Sequence, residues 1–102
     1  MERKVKKTGT SYGAMYMQKA GNISREVHVR GQSLEEALAN VEKYLDDAFV
    51  AGLKEIRIIH GRGEGILRTA IRDMLKRNPH VSEFKRADYN GGGDGVTEVI
   101  LK

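Results

Sequence analysis

The chain has 102 residues, no cysteine and a formal net charge of +4. This length suits one domain with a modest core, and the missing thiols exclude a disulfide scaffold, a thiol nucleophile and a thiolate metal site. We expect a cytoplasmic protein without membrane contact, because no apolar run reaches the length of a membrane span and the first residues lack the hydrophobic stretch of a signal peptide.

The basic charge is concentrated in the leading segment, residues 1–25. Its acidic side chain is Glu2, whereas its basic side chains are Arg3, Lys4, Lys6, Lys7, Lys19 and Arg25. The segment lacks helical periodicity and contains several small polar residues, which predicts a flexible linker or arm. Two uses remain open for it: a solvated tail that keeps the chain soluble, or an arm that contacts nucleic-acid phosphates.

The first regular element is a strand over residues 26–30, where polar and apolar residues alternate. Val27 and Val29 are predicted to point into the core. The polar side chains share the opposite face: Glu26, His28 and Arg30. A capping-box pattern, Ser33 with Glu36, then opens a helix that Gly52 closes. Its apolar positions recur at helical spacing: Leu34, Ala37, Leu38, Val41, Leu45, Ala48 and Phe49.

A second strand, Ile56–Ile59, leads into a turn with glycine at alternate positions. Such a turn lets the backbone approach a ligand closely, and a helix that begins there presents free N–H groups and a positive dipole end. Arg62 adds a guanidinium and His60 an imidazole that titrates near neutral pH. The turn therefore predicts a phosphate site that includes Gly61, Gly63 and Gly65, although glycines in such a turn also serve conformation alone. It is not a Walker loop, because the closing Lys-Ser/Thr pair is missing.

The second helix has apolar positions from Ile66 to Leu75 and is stopped by Asn78-Pro79. Arg68, Arg72 and Lys76 are four residues apart and predict one basic stripe. Such a stripe is either a solvated surface or, together with Arg62, a track that faces phosphates.

Two further strands are predicted, one over residues 81–87 and one over residues 96–101, separated by a glycine-rich loop. In that loop Gly92 and Gly93 either form a simple hairpin connection or approach a bound backbone.

The predicted order is β-α-β-α-β-β, an α/β chain with a two-layer α+β architecture: a four-stranded mixed sheet with both helices on one face. Right-handed crossovers make the first three strands parallel. Their carboxyl ends then bring three loops to one edge of the sheet, where open α/β sheets usually bind ligands. These loops are residues 30–31, 60–65 and 91–95.

Residues 26–102 resemble the Smr (small MutS-related) domain, which is marked by a Leu-Asp-x-x-Gly motif on the first strand and a His-Gly-x-Gly motif after the second. The second motif is intact as His60–Gly63, and Gly92–Thr97 matches the Gly-Gly-x-Gly-Val-Thr ending. Residues 44–48 and 51–53 look like the version at the C-terminus of bacterial type-two MutS proteins.

The resemblance implies a fold like the C-terminal domain of translation initiation factor three, and a nucleic-acid-binding domain often credited with nicking endonuclease activity. It implies DNA or ribosomal RNA as a partner, possible contact with the ribosome, and Mg²⁺ or Mn²⁺ as candidate cofactors. For the parent protein it implies a homodimeric MutS-like ATPase, whose ATP is bound by another domain, acting on branched DNA or stalled ribosomes.

One position departs from the family pattern: His28 stands where the family has an aspartate implicated in cleavage. Either His28 acts as a base, helped by Glu26 on the same strand face, or the domain has lost cleavage and retains binding. The catalytic candidates are His60, His28 and Arg30. His80 has no predicted role. Two hypotheses follow, a nucleic-acid-processing domain and a non-catalytic binding module; a purely structural domain leaves the convergent loops unexplained.

The leading arm yields a test. Deletion of residues 1–22 should weaken binding to all nucleic-acid sequences alike and flatten its salt dependence, because lysines contact phosphates and not bases. Affinities measured over a range of salt concentrations check this. An unchanged salt slope would count against the arm.

Overall fold

The computed structural model describes residues 23–102; the arm predicted for residues 1–25 therefore lies outside the described residues up to residue 22. The main elements are β1 (Glu26–His28), α1 (Leu34–Val50), β2 (Glu55–Ile59), α2 (Ile66–Arg77), β3 (Val81–Arg86) and β4 (Val96–Leu101). Two short 3₁₀ turns, Tyr89–Gly91 and Gly93–Gly95, connect β3 to β4. Over residues 23–102, no helix is long and apolar enough to cross a membrane.

The sheet has the order β1-β2-β4-β3. β1 pairs with β2 in parallel, whereas β4 is antiparallel to both of its neighbours. The first three strands consequently run in the same direction, and the predicted mixed sheet with two helices is confirmed. β4 lies between β2 and β3, so the two glycine loops that precede α2 and β4 become neighbours at one edge.

Helix α1 begins with the predicted capping box. The Ser33 hydroxyl accepts a hydrogen bond from the Glu36 N–H at 3.2 Å, and the Glu36 carboxylate accepts one from the Ser33 N–H at 3.1 Å. Leu34 and Phe49 are exposed, contrary to prediction. The 17-residue helix is about 25 Å long, whereas the longest strands have six residues and span about 20 Å.

One face of the sheet carries the core. Ile56 and Ile58 of β2 are buried with Val27 and Val29 of the first strand segment, as the alternation predicts. Both helices contribute to the same core, through residues that include Ala37, Val41, Tyr44, Leu45, Ala48, Ile71 and Leu75. The opposite face has no helix on it among the described residues, and it bears the alternate strand side chains.

The packing of α1 on this face predicts the cost of a truncation. Leu45→Ala should lower the free energy of unfolding by about 2–5 kcal/mol, because it leaves a cavity beneath the sheet. Val50→Ala, in the same helix but at an exposed side chain, should change it by less than about 0.5 kcal/mol. Urea denaturation measures both, and equal losses would contradict this placement of the core.

Candidate functional site

Two glycine loops are joined by one backbone carbonyl. The Gly95 oxygen accepts hydrogen bonds from the N–H groups of His60, at 3.1 Å, and Gly61, at 2.9 Å. The loop after β2 and the loop before β4 therefore lie side by side at the edge where they were expected to meet.

Two glycines allow backbone and side chains to approach closely here. Gly61 has φ +78°, and a Cβ atom on it would lie 2.9 Å from carbons of the Arg30 side chain. Gly92 has φ +117°, and its Cβ would lie 2.3 Å from a methyl group of Val96. At both positions any other residue would have a strained backbone conformation, and its Cβ would clash with a neighbouring side chain. The shape of the site therefore depends on these glycines.

The loops enclose a cleft of about 380 Å³ on the open face of the sheet. Of the described residues, those that line it are Arg30, Ile59, Gly61, Arg62, Gly92, Gly95 and Val96. Its charged side chains are thus two arginines, on different loops. The Arg62 guanidinium lies over Gly93, 3.5 Å from the position a Cβ would take. The cleft is consequently suited to an anion.

The remaining predicted loop positions are placed differently. Gly63 is exposed, whereas Gly65 is buried and precedes α2 in a left-handed conformation without a side-chain cap. The Arg68 guanidinium folds back over Gly65, so that a Cβ there would lie 2.6 Å from it. Lys76 is exposed further along the helix, and its Nζ lies 3.9 Å from Asp73 Oδ1.

The His60 side chain points away from the cleft, into the helix side of the sheet, and is 3% exposed. Its Nδ1 lies 2.9 Å from the Gly61 carbonyl and its Nε2 lies 2.9 Å from the Thr97 hydroxyl. That hydroxyl also accepts a hydrogen bond from Arg72 Nε at 3.1 Å. A neutral ring satisfies this arrangement, with Thr97 donating to Nε2 and Nδ1–H donating to the carbonyl.

The electrostatics agree with a neutral ring. Burial holds the pKa of His60 below its ordinary value of 6.5, and the charges of Arg72 and Arg68 lower it further, opposed by the Gly61 carbonyl. Both ring nitrogens have partners, so these contacts favour a positioning role. The role of His60 as acid or base stays a prediction.

A chain of charged contacts crosses the open face from the first motif to the glycine loop. His28 Nε2 lies 3.0 Å from Glu26 Oε1, and Glu26 Oε2 lies 3.5 Å from Arg57 Nη1. Arg57 Nη2 in turn donates to the Gly91 carbonyl. His28 pairs in register with Ile59, which lines the cleft. The histidine therefore stands at the border of the cleft, with its ring oriented by a carboxylate.

Sequence reasoning missed two residues of this site, Arg57 and Thr97. Each carried a signal: Arg57 interrupts an apolar strand, and Thr97 occupies a core-facing position in another. Polar groups at such positions need partners, and theirs turn out to be the glycine loop and His60.

The donors at the cleft border do not fit the divalent cation expected from the resemblance. Within residues 23–102 there is no group of three or more metal-ligating side chains. Glu26 and His28 offer one carboxylate, already paired with Arg57, and one imidazole, whereas Mg²⁺ prefers six oxygen ligands. Involvement of Mg²⁺ or Mn²⁺ stays a prediction.

Known proteins of similar sequence and structure identify the family of this chain. The family model of the Smr domain matches residues 27–102, and the chain belongs to this family. It is 50% identical over 101 residues, 99% of its length, to endonuclease MutS2 of Alkaliphilus oremlandii, and 53% identical over 81 residues to endonuclease MutS2 of Clostridium novyi. The chain spans 12% and 10% of these two relatives.

Solved structures show the same architecture. The crystal structure of the Smr domain of Thermus thermophilus MutS2 matches with a TM-score of 0.75 and 43% identity, over 78% of this chain and 99% of that one. YdaL, a stand-alone small MutS-related protein from Escherichia coli, matches with a TM-score of 0.74 over 96% of this chain and 81% of that one, but at 24% identity it supports the fold alone.

The buried neutral His60 predicts a pH dependence of stability. Its pKa in the folded state lies below that in the unfolded chain, so the unfolded chain binds the proton first as the pH falls. Stability that is present above about pH 6.5 should be lost as the pH decreases towards the folded-state pKa. Urea denaturation from about pH 8 to about pH 5 measures this loss. His60→Asn should show a shallower slope; a slope equal to that of the wild type would contradict the assignment.

Proposed function

We propose that this domain binds a nucleic-acid phosphodiester in the cleft and hydrolyses it as a nicking endonuclease. One observation carries the proposal. At one edge of the sheet, Arg30 and Arg62 line the cleft, and His28, which is oriented by the Glu26 carboxylate, lies at its border. The relatives named endonuclease MutS2 support the same class of activity.

The binding step follows from the cleft. A guanidinium is permanently charged and its planar donors match the oxygens of a phosphate. Arg30 and Arg62 approach the cleft from different loops, so they can contact one phosphate from two sides. Apolar side chains of Ile59 and Val96 line the wall together with three glycines.

The cleavage step is assigned to His28. Glu26 accepts the Nε2–H, which leaves Nδ1 to take a proton from a water molecule. The water oxygen forms a bond to phosphorus while the bond to the leaving oxygen breaks, and the leaving oxygen takes a proton from solvent. Arg30 and Arg62 offset the charge that develops on the phosphoryl oxygens. Arg57 holds Glu26, so it positions the histidine without contacting substrate.

A non-catalytic binding module is the second candidate function. It is favoured by the replacement of the family's aspartate by His28, and by the engagement of both nitrogens of His60. In this case the same cleft holds DNA or ribosomal RNA for an ATPase elsewhere in the parent chain.

We extend the proposal to the substrate and to the parent protein. The substrate is branched DNA or the RNA of a stalled ribosome, and the parent protein is a homodimeric, MutS-like ATPase. The family resemblance suggests these statements, and the name endonuclease MutS2 of the relatives supports only the nuclease class. Plasmid and structured-RNA assays with and without Mg²⁺ or Mn²⁺ test the substrate and the cofactor.

Binding should depend on the charge in the cleft. Arg62→Gln should weaken binding to an oligonucleotide by about tenfold or more, since it removes a charge-assisted hydrogen bond. It should also reduce the slope of log affinity against log salt by about 0.7 for a single strand or about 0.9 for a duplex. Lys54→Gln is the matched control, because it removes one charge at the opposite end of β2. Fluorescence anisotropy measures both; equal effects would contradict a cleft-specific site.

Cleavage should depend on His28. His28→Gln should slow nicking of supercoiled plasmid by about 100-fold or more while binding is retained, and added imidazole should partly restore the activity of His28→Ala. An increase in activity for His28→Asp would instead support a lost catalytic carboxylate. Binding without measurable cleavage in the wild type and all variants would leave the binding module as the function.

A further inference from the structure

Tyr89 is a large aromatic side chain with 83% of its surface exposed. It begins the first 3₁₀ turn of the glycine loop, immediately after Asp88. An aromatic ring left in water contributes little to the core, so the ring is free to contact a ligand bound beside this loop.

The backbone beneath Tyr89 is held firmly. The Asp88 carbonyl accepts hydrogen bonds from the N–H groups of Gly91, at 2.8 Å, and Gly93, at 2.9 Å. Arg57 donates to the Gly91 carbonyl from the sheet below. The Tyr89 carbonyl accepts from the N–H of Gly92, which lines the cleft. Tyr89 thus belongs to a turn that is fixed by hydrogen bonds and is joined to the cleft wall at Gly92.

The surrounding charges indicate which part of a nucleic acid suits this position. Asp88 precedes Tyr89 in the chain, and its carboxylate disfavours a phosphate beside the ring, whereas the Asp94 carboxylate lies 3.6 Å from Arg86 Nε. The arginines that attract a phosphate, Arg30 and Arg62, line the cleft instead. A ligand whose phosphate lies in the cleft therefore offers Tyr89 an uncharged, flat group, which in a nucleic acid is a base.

We propose that Tyr89 stacks on an unpaired nucleobase next to the phosphate held in the cleft, so that the domain selects single-stranded or locally unpaired nucleic acid. This inference rests on the proposed function. Bases in an intact duplex already stack on one another, and a protein ring reaches them only after they are extruded. Stacking of a base on an aromatic side chain contributes enough to discriminate between the two forms.

The test compares a single-stranded oligonucleotide with its fully paired duplex, using the 102-residue protein. Tyr89→Ala should weaken binding to the single strand by about fivefold to 100-fold and leave duplex binding within about twofold. Tyr89→Phe and Tyr89→Trp should retain single-strand binding. Val50→Ala, an exposed apolar side chain on α1, is the control and should change neither. Urea denaturation should show Tyr89→Ala to be as stable as the wild type.

A second readout places the base directly. A single strand that contains 2-aminopurine should lose fluorescence on binding the wild type, and keep it on binding Tyr89→Ala. If Tyr89→Ala weakens binding to the single strand and to the duplex equally, or weakens binding to neither, the inference is overturned. If Arg62→Gln loses binding while Tyr89→Ala does not, the proposed function stands without the stacking site. If the wild type binds neither form, the proposed function fails, and the inference with it.

Discussion

The double hydrogen bond to the Gly95 carbonyl is the constraint on which the site depends. It ties the end of β2 to the start of β4, so that the two glycine loops form one surface. A Cβ on Gly95 would lie 3.5 Å from the Gly61 backbone, which shows how closely the loops approach each other. Once they are joined, Arg62 and Gly92 are brought to the same cleft although they are far apart in the chain.

The two histidines of the sequence motifs divide between the two faces of the sheet. His60 lies on the helix side, beneath the joined loops. There its ring is hydrogen-bonded to the Gly61 carbonyl and to the Thr97 hydroxyl. His28 lies on the open side, where a carboxylate orients it at the border of the cleft. The His60 ring is therefore enclosed by protein groups, whereas the His28 ring is accessible from solvent.

Charges on the open face alternate across the strands. Glu26, Arg57, Glu98 and Lys85 follow one another in register from β1 to β3. Ion pairs of 3.5 and 3.9 Å link the outer members to their neighbours. The row is balanced in charge, whereas the cleft above it carries two unopposed arginine charges in its lining. The attraction for an anion is therefore stronger at the cleft than along this row.

The sequence by itself determined the elements, because each depends on neighbours in the chain: the Ser33 capping box, the alternation around Val27 and the stop at Asn78-Pro79. It also predicted that three loops meet at one edge, since the direction of parallel strands follows from their crossovers. Only the tertiary structure decided the insertion of β4 between β2 and β3, and with it the partners of His60 and Arg57. Periodicity shows which face a residue occupies, but a contact such as that between Thr97 and His60 depends on strand order, which nothing local encodes.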